Sequence, residues 1–274
     1  FPISFSHLED ILINSKQEQK EKLIDTMVSI SKGWVLQPYT MHLYKEISNA
    51  ILHRLGHDSK FNIRSDILAK GLPFIVSTGY QITWNKSAKN IPDDFEQKLK
   101  NVIESPQSLA MVLKDPDFST RFKQFRKENE GLVQKMESNR LQKQKLDKKQ
   151  RYDQSIGSYL LDAIEPRLPI IPKNTDPSIT KKVIPQTKED MEEFLVDMPS
   201  TNIVFRLTYA RDEFYDRPIQ INDVADINHL ATAIPNCDIV VMERMFASES
   251  QKLGLDKKYG CKIFRSLKEL NQTL

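Results

Sequence analysis

The sequence predicts an α/β protein with a large, mainly helical insertion. Two short apolar segments near the carboxyl terminus, residues 239–242 and 261–264, have the length and composition of buried strands. Apolar residues at helical spacing precede the first of them, over 223–234, until Pro235 ends the pattern. Across 61–197 the strand signals fade and helical periodicity prevails. We therefore expect an α/β core contributed by the two ends of the chain.

The amino-terminal block also mixes strand and helix signals. Glycines end both of the longer amphipathic stretches, as expected at helix C-termini. Because residue 1 already lies in what reads as a strand, we expect further residues upstream of it. The predicted elements are a strand over 1–6, a short helix over 7–14, a helix over 16–31, an apolar piece at 35–36 and a helix over 41–55.

Composition sets the broad class of the protein. The chain has 274 residues, 39% of them hydrophobic, and a net charge of +3, which is too mild to indicate a nucleic-acid partner by itself. No apolar run approaches the ~18 residues of a spanning helix, so we expect no membrane association. Cys237 and Cys261 have no spacing typical of a zinc site or a disulfide framework, and we predict free thiols and a cytoplasmic location.

The segment 222–246 carries the most specific pattern. Asp226 opens a helix, a hydrophobic strand follows, and Glu243 stands at the carboxyl end of that strand, three residues before Phe246. This segment resembles the carboxyl-terminal half of PIN-like nucleases, in which Asp-x-x-His-Leu-Ala-x-Ala precedes such a strand and acid. An ordinary helix explains part of the pattern, because Asp223 as an N-cap and Asp226 in the first turn suit any helix start.

The amino-terminal block extends the resemblance. Ser4, His7 and Asp10 follow a Ser-x-x-His-x-x-acid pattern found in a subgroup of bacterial PIN-like proteins, and Glu46 lies in a similar Lys-Glu-Ile turn. Glu9 neighbours Asp10 but is rotated by about 100° on a helix, so we expect one of the two to face the site. The family's first strand, ending in Asp-x-Asn or Asp-x-Ser, has no counterpart in this sequence. Either it lies upstream or the chain lacks that metal ligand.

The resemblance implies a PIN-like α/β core with a small central parallel sheet and a site for Mg²⁺ or Mn²⁺. Hard cations of this kind are held by a few carboxylates and can activate water for phosphodiester hydrolysis. The expected catalytic residues are Asp10, Asp226 and Glu243. The expected metal ligands are Asp10, Asp223, Asp226 and Glu243, with Glu9, Glu46, His229 and Asp238 as accessory candidates, although a solvated Glu46, a packed His229 and a strand-start Asp238 are the ordinary alternatives.

The middle of the chain is basic. Residues 121–151 hold eleven Lys or Arg against four Asp or Glu, at the spacing of an amphipathic helix that we predict over about 118–165. Lysines and arginines in such a helix suit a phosphate backbone, and Phe122, Phe125 and Tyr152 suit base stacking. A solvated helix face is the alternative. The nucleic-acid candidates are Arg121, Lys123, Arg126, Lys127 and Arg140.

Together these features predict a metal-dependent nuclease, most simply an endoribonuclease, with RNA favoured over DNA as the predicted substrate. The expected domains are a discontinuous core, 1–60 and 198–274, and a helical insertion, 61–197. A competing interpretation is a non-catalytic RNA- or protein-binding module that keeps the PIN-like shell. Self-association into a homo-oligomer through the basic helix is a third interpretation.

Overall fold

The computed structural model describes residues 2–14, 16–57, 67–71, 94–128, 130–164, 166 and 183–273. Two compact units are present, and each has its own core. The first comprises Phe1–Met41 and Arg64–Asn129, and the second comprises His42–Ile63 and Glu130–Leu274. The predicted division into 1–60 with 198–274 and 61–197 stays a prediction.

The first unit holds short strands among helices. Its described elements are α1 (Phe5–Asn14), α2 (Gln17–Ser31), β1 (Trp34–Leu36), β2 (Leu68–Lys70), α4 (Phe95–Ile103), α5 (Pro106–Lys114) and α6 (Pro116–Glu128). Helix α3 (Tyr39–Arg54) begins in this unit and continues in the second.

Strand β1 pairs antiparallel with β2, in the register Val35 to Ala69. Ile3 forms an isolated parallel bridge on the other side of β1, and its N–H donates to the Trp34 carbonyl over 2.9 Å. The predicted strand over 1–6 is therefore wrong beyond this bridge, because α1 already begins at Phe5.

Apolar faces of α1, α2, α5 and α6 form the core of the first unit. Leu8, Leu12, Ile24 and Leu109 are almost completely buried there. Burying such side chains contributes roughly 1.5–3 kcal/mol each to folding.

Gly71 closes the β1–β2 ribbon in a conformation that needs glycine. Its φ is +89°, and a Cβ atom would lie 2.9 Å from the carbonyl oxygen of Ile103. Its N–H donates to the carbonyl of Gly33 over 3.1 Å. The ribbon therefore ends against the last residue of α4 with no room for a side chain.

The second unit is mainly helical. After α3 its described elements are α7 (Glu130–Lys143), α8 (Lys148–Tyr159), a π-helical turn (Leu160–Ile164), α9 (Lys188–Val196), α10 (Pro199–Asp212), α11 (Ile221–Ala233), β3 (Ile239–Val241), α12 (Arg244–Lys252), α13 (Leu255–Tyr259), β4 (Lys262–Phe264) and α14 (Leu267–Thr273).

Helices α10 and α11 pack along one another, and β3 pairs parallel with β4 in the register Val240 to Ile263. Phe194, Leu195 and Phe246 are among the almost completely buried side chains of this unit. Helix α11 and the strands β3 and β4 lie where the sequence predicts them.

The predicted α/β core with a small central parallel sheet is wrong. In the described ranges the strands form two separate two-stranded sheets, and only β3 with β4 is a parallel pair. Each described strand is three residues long and pairs with one other strand, and β1 has in addition only the single bridge to Ile3. Helices supply the rest of the regular structure in these ranges.

The helix predicted over about 118–165 is wrong as one continuous element, because α7 ends at Lys143 and α8 begins at Lys148. Asp147 starts α8 with a capping box, in which its Oδ1 accepts from the N–H of Gln150 over 2.9 Å. Within the described part of the chain, the helices lack the combination of length and apolar composition that crossing a membrane requires. The cytoplasmic location stays a prediction.

Candidate functional site

The parallel pair β3–β4 brings Glu243 to the edge of the second unit. Pairing continues one residue beyond β3, because the N–H of Met242 donates to the carbonyl of Phe264 over 3.0 Å. Glu243 follows as the N-cap residue of α12, and its side chain is exposed and makes no capping hydrogen bond. An exposed carboxylate thus stands at the carboxyl end of a strand and at the positive end of a helix dipole.

Asp223 lies in the first turn of α11 and is 3% exposed. Its Oδ2 accepts from Nε of Arg211 over 3.0 Å, and its Oδ1 accepts from Nη2 of Arg217 over 2.6 Å. The N–H of Gln220 also donates to Oδ2, over 2.9 Å, which completes a capping box at the start of α11. Both carboxylate oxygens of Asp223 are thus engaged by donors within the protein.

Asp226 and His229 follow Asp223 at successive intervals of three residues on α11, and both are half-buried. Side chains three residues apart are neighbours on a helix surface, so Asp226 lies beside both Asp223 and His229. Asp223 and His229 themselves are separated by roughly 120° around the helix.

Arg217 links the start of α11 to the start of α12. Its Nη2 atom, which donates to Asp223, lies 4.0 Å from the Sδ atom of Met245 in the first turn of α12. Met245 follows Glu243 by two residues. The two acid-bearing segments of the 222–246 pattern are therefore neighbours at this end of the unit.

Glu46 is held elsewhere in the second unit, at the N-terminus of α10. Its carboxylate is 1% exposed and accepts from the backbone N–H groups of Ser200 and Thr201 over 2.9 and 3.0 Å. The Thr201 hydroxyl donates a further hydrogen bond over 2.8 Å. Burial raises the pKa of Glu46, and these hydrogen bonds oppose that rise. Glu46 thus satisfies the free N–H groups that begin every helix.

Glu46 and Asp223 contact opposite ends of α10. Thr201 binds Glu46, whereas Arg211, ten residues later on the same helix, binds Asp223. With a rise of 1.5 Å per residue, these two contacts are separated by roughly 15 Å along the helix. Glu46 is therefore too far from Asp223 to share a metal ion with it.

The amino-terminal candidates belong to the first unit. Ser4 and His7 contact each other, with 2.8 Å between Oγ and Nδ1, and burial lowers the pKa of His7. The side chains of Glu9 and Asp10 lie outside the described residues. Asp238 precedes β3, and its carbonyl accepts from the N–H of Lys262 over 2.8 Å.

In the ranges that the structure describes, no group of three or more His, Cys, Asp or Glu side chains is arranged to hold a metal ion.

The basic candidates differ in their surroundings. Arg121, Lys123 and Lys127 on α6 are exposed, while the side chains of Arg126 and Phe125 lie outside the described residues.

Arg140 on α7 is 3% exposed. Its Nε donates to Oε2 of Glu137 over 2.9 Å, and its Nη1 donates to the carbonyl of Phe214 over 2.8 Å. Phe122 is buried, and the Tyr152 ring packs edge-on against Phe205. Among the described candidates for nucleic-acid contact, the exposed ones are the three cations of α6.

Arg211 and Arg217 are the residues that the sequence analysis missed. Both precede Asp223, by twelve and six residues, and they meet it only because the chain folds back between α10 and α11. The local sequence offers one signal, since a buried acid at a helix start calls for a cationic partner. That signal does not say which of the surrounding arginines supplies the partner.

Comparison of the chain with family models, with curated proteins and with solved structures yields no match.

Proposed function

We propose that this protein is a divalent-metal-dependent nuclease that acts on RNA, and that Asp226 and Glu243 hold Mg²⁺ or Mn²⁺. The observation that supports this most directly is the position of Arg217, which contacts both Asp223 at the start of α11 and Met245 in the first turn of α12. The likeness of segment 222–246 to PIN-like nucleases supports the same assignment.

The donor set fits a hard cation. Mg²⁺ takes one or two carboxylates directly and keeps several waters, so Asp226 in the second turn of α11 and Glu243 at the N-cap of α12 are sufficient in number. Glu243 is exposed and Asp226 is half-buried. Asp223 does not fit as a ligand, because two guanidinium groups already donate to its oxygens. When bound, the metal would activate water and neutralise charge on the leaving oxygen.

Arg217 has a separate role in this proposal. Its side chain is 40% exposed, whereas the Asp223 side chain that orients it is 4% exposed. A guanidinium held in this way presents its remaining N–H groups to solvent near the starts of α11 and α12. Guanidinium groups bind phosphate oxygens in a bidentate manner, so Arg217 would orient the phosphodiester. Asp223 then acts by positioning Arg217.

The test is cleavage of labelled single-stranded RNA and DNA by the purified chain with Mg²⁺, with Mn²⁺ and with EDTA. Glu243→Gln and Asp226→Asn should each lower the cleavage rate about 100-fold or more, in keeping with loss of a ligand to a catalytic metal. Glu249→Gln on α12 and Asp216→Asn before α11 are matched controls that should retain activity. Metal-dependent cleavage that both site variants retain would overturn the assignment, as would a wild-type chain that cuts neither substrate.

A non-catalytic RNA- or protein-binding module is the second candidate. It is favoured by the engagement of Asp223 and Glu46, whose carboxylates accept hydrogen bonds that stabilise the ends of helices. This candidate predicts that RNA binding persists in EDTA and that added metal causes no cleavage.

A further inference from the structure

A cavity of about 190 Å³ lies within the second unit, bounded by α7, α8, the π-helical turn and α10. π-Helical turns are rare and often occur at functional sites. The cavity is smaller than the ~300–1,000 Å³ of pockets for drug-sized ligands, which suits a single ring system. Its polar and aromatic lining includes Asn139, Lys143, Ser155, Tyr159, Tyr209 and Asp212.

Asp212 contributes a carboxylate to this lining. It is half-buried in the last turn of α10, and in the described part of the chain no residue donates a hydrogen bond to its carboxylate. Burial raises its pKa to about 6, although Lys143, Arg140 and Arg211 act in the opposite direction. At neutral pH this carboxylate is therefore mostly ionised and partly desolvated, so a ligand that donates hydrogen bonds to it would be stabilised.

Aromatic rings supply the flat part of the lining. Phe205 is 2% exposed, and its ring centroid lies 5.6 Å from that of Tyr159. Tyr209 is half-buried on the same helix, one turn before Asp212. A planar ligand in this cavity can therefore lie against aromatic carbon while its edge meets Asp212.

We infer that this cavity binds a guanine base. The Watson–Crick edge of guanine carries two adjacent donors, N1–H and N2–H, which match the two oxygens of an ionised carboxylate. Adenine presents one donor and one acceptor on that edge, and the acceptor would face a carboxylate oxygen. Enzymes that accept a single extruded base read it in this way, by hydrogen bonds to this edge and by contact with aromatic side chains.

Lys143 would determine which way a bound guanine nucleotide is oriented in the cavity. Its Nζ donates to Oγ of Ser155 over 3.1 Å at the cavity wall, and it is the cationic side chain of the lining. The phosphate of a bound guanosine nucleotide would form an ion pair with the Lys143 ammonium group. The natural source is either a free guanine nucleotide or a guanosine within RNA, and only the choice of RNA rests on the proposed function.

Calorimetric titration with GMP, IMP and AMP in EDTA near neutral pH tests the inference without any contribution from metal or cleavage. GMP should bind. IMP, which lacks the 2-amino donor, should bind about tenfold more weakly, which corresponds to ~1.4 kcal/mol, and AMP more weakly still. Guanosine-containing and all-adenosine oligonucleotides, titrated in parallel, distinguish RNA from a free nucleotide as the source.

Asp212→Asn should weaken GMP binding at least about tenfold, because it replaces one acceptor oxygen by a donor and removes the charge. Asp216→Asn, an exposed position outside the cavity lining, is the matched control and should not change binding. Thr208→Phe fills the cavity from α10 and should abolish binding in a chain whose thermal unfolding shows that it is folded.

Lowering the pH through about 6 should also weaken GMP binding as Asp212 takes up a proton. The other charged groups that face it or line the cavity are Glu137, Arg140 and Lys143 on α7, Asp162 in the π-helical turn and Arg211 on α10. Absence of GMP binding, equal affinity for GMP and AMP, or affinity that survives both Asp212→Asn and Thr208→Phe would overturn the inference. Because these titrations contain no metal, the result is independent of the cleavage assay.

Discussion

Glu46 accepts hydrogen bonds from both the backbone N–H and the hydroxyl of Thr201, over 3.0 and 2.8 Å, and joins α3 to the start of α10. Because the helix start is buried, water does not replace these bonds when the carboxylate is removed.

We expect Glu46→Ala to lower the free energy of unfolding by about 2–4 kcal/mol, because it leaves buried donors of α10 unsatisfied. Glu46→Gln keeps one acceptor oxygen and should cost less. Urea unfolding measures both. Glu189→Ala, at an exposed position on α9, is the control and should stay within about 0.5 kcal/mol of wild type. An equally small effect of Glu46→Ala would contradict the buried contact.

The pair of arginines at Asp223 gives an asymmetric prediction. Arg211→Ala should destabilise the protein by about 2–4 kcal/mol, because it removes a buried cation whose partner Asp223 is 4% exposed and leaves that carboxylate with Arg217 and the Gln220 N–H as its remaining donors. Arg217→Ala should cost less, since its side chain is 40% exposed. Adding Asp223→Asn should recover part of the loss in Arg211→Ala but not in Arg217→Ala. Denaturant unfolding of the single and double variants measures these losses. A recovery in Arg217→Ala that equals or exceeds the recovery in Arg211→Ala would contradict the prediction.

Asp212 should make stability depend on pH. Its pKa is raised by burial from 3.8 to about 6, so the folded protein binds this proton more tightly than the unfolded chain does. The resulting stabilisation is fully present below about pH 4 and is lost as the pH rises through about 6, with a maximum of about 3 kcal/mol. Asp212→Asn should therefore be more stable than wild type near pH 8 and not near pH 4. Thermal unfolding across this range checks the sign.

The cations of α6 should govern RNA affinity in a nuclease and in an RNA-binding module alike. Each contact between a lysine or arginine and a single-strand phosphate contributes about −0.7 to the slope of log affinity against log salt. Replacing Arg121, Lys123 and Lys127 with Gln should weaken RNA binding and reduce that slope by up to about 2. Fluorescence anisotropy at several salt concentrations measures both.

A matched control for that experiment replaces three exposed lysines of the second unit, Lys257, Lys262 and Lys268, with Gln. It changes the net charge by the same amount and should leave the salt slope within error. Equal effects of the two triple variants would mean that α6 is not a phosphate-binding helix.

Cysteine reactivity provides an independent check of the second unit. Cys261 is 3% exposed and burial raises its pKa to about 12, so its thiol is protonated near pH 8. Since the thiolate is the reactive form, we expect Cys261 to react with a maleimide only after unfolding, whereas half-buried Cys237 reacts first. Mass spectrometry after timed labelling distinguishes the two. Prompt labelling of Cys261 in the folded protein would contradict this burial.

Short-range patterns in the sequence predict individual elements well. The helix predicted over 16–31 is observed as Gln17–Ser31, and the strand predicted over 239–242 is observed as Ile239–Val241. Both depend on the spacing of apolar residues and on nearby glycine or proline. The start of α8 also has a sequence signal, because Asp147 and Gln150 have the spacing of a capping box. The helical spacing of the surrounding basic residues favoured a continuous helix instead.

Tertiary contacts explain what the sequence could not predict. The number of strands in a sheet depends on which segments pair across the chain, and each three-residue strand has too little pattern to specify its partners. Likewise, the acid at Glu46 is visible in the sequence, but its contact with Thr201 joins residues 155 positions apart. By contrast, Asp223 and Glu243 lie only twenty residues apart in the sequence, so predicting that they are close required no long-range contact.

Arg211 in the last turn of α10 and Arg217 within the connection between α10 and α11 both donate to Asp223, and Arg211 also donates to the carbonyls of Arg217 and Pro218. These hydrogen bonds tie the connection to both helices, so we expect it to be rigid and not to act as a hinge. We therefore expect α10 and α11 to move together. A substrate that displaces α11 would then also displace the N-terminus of α10, where Glu46 is bound.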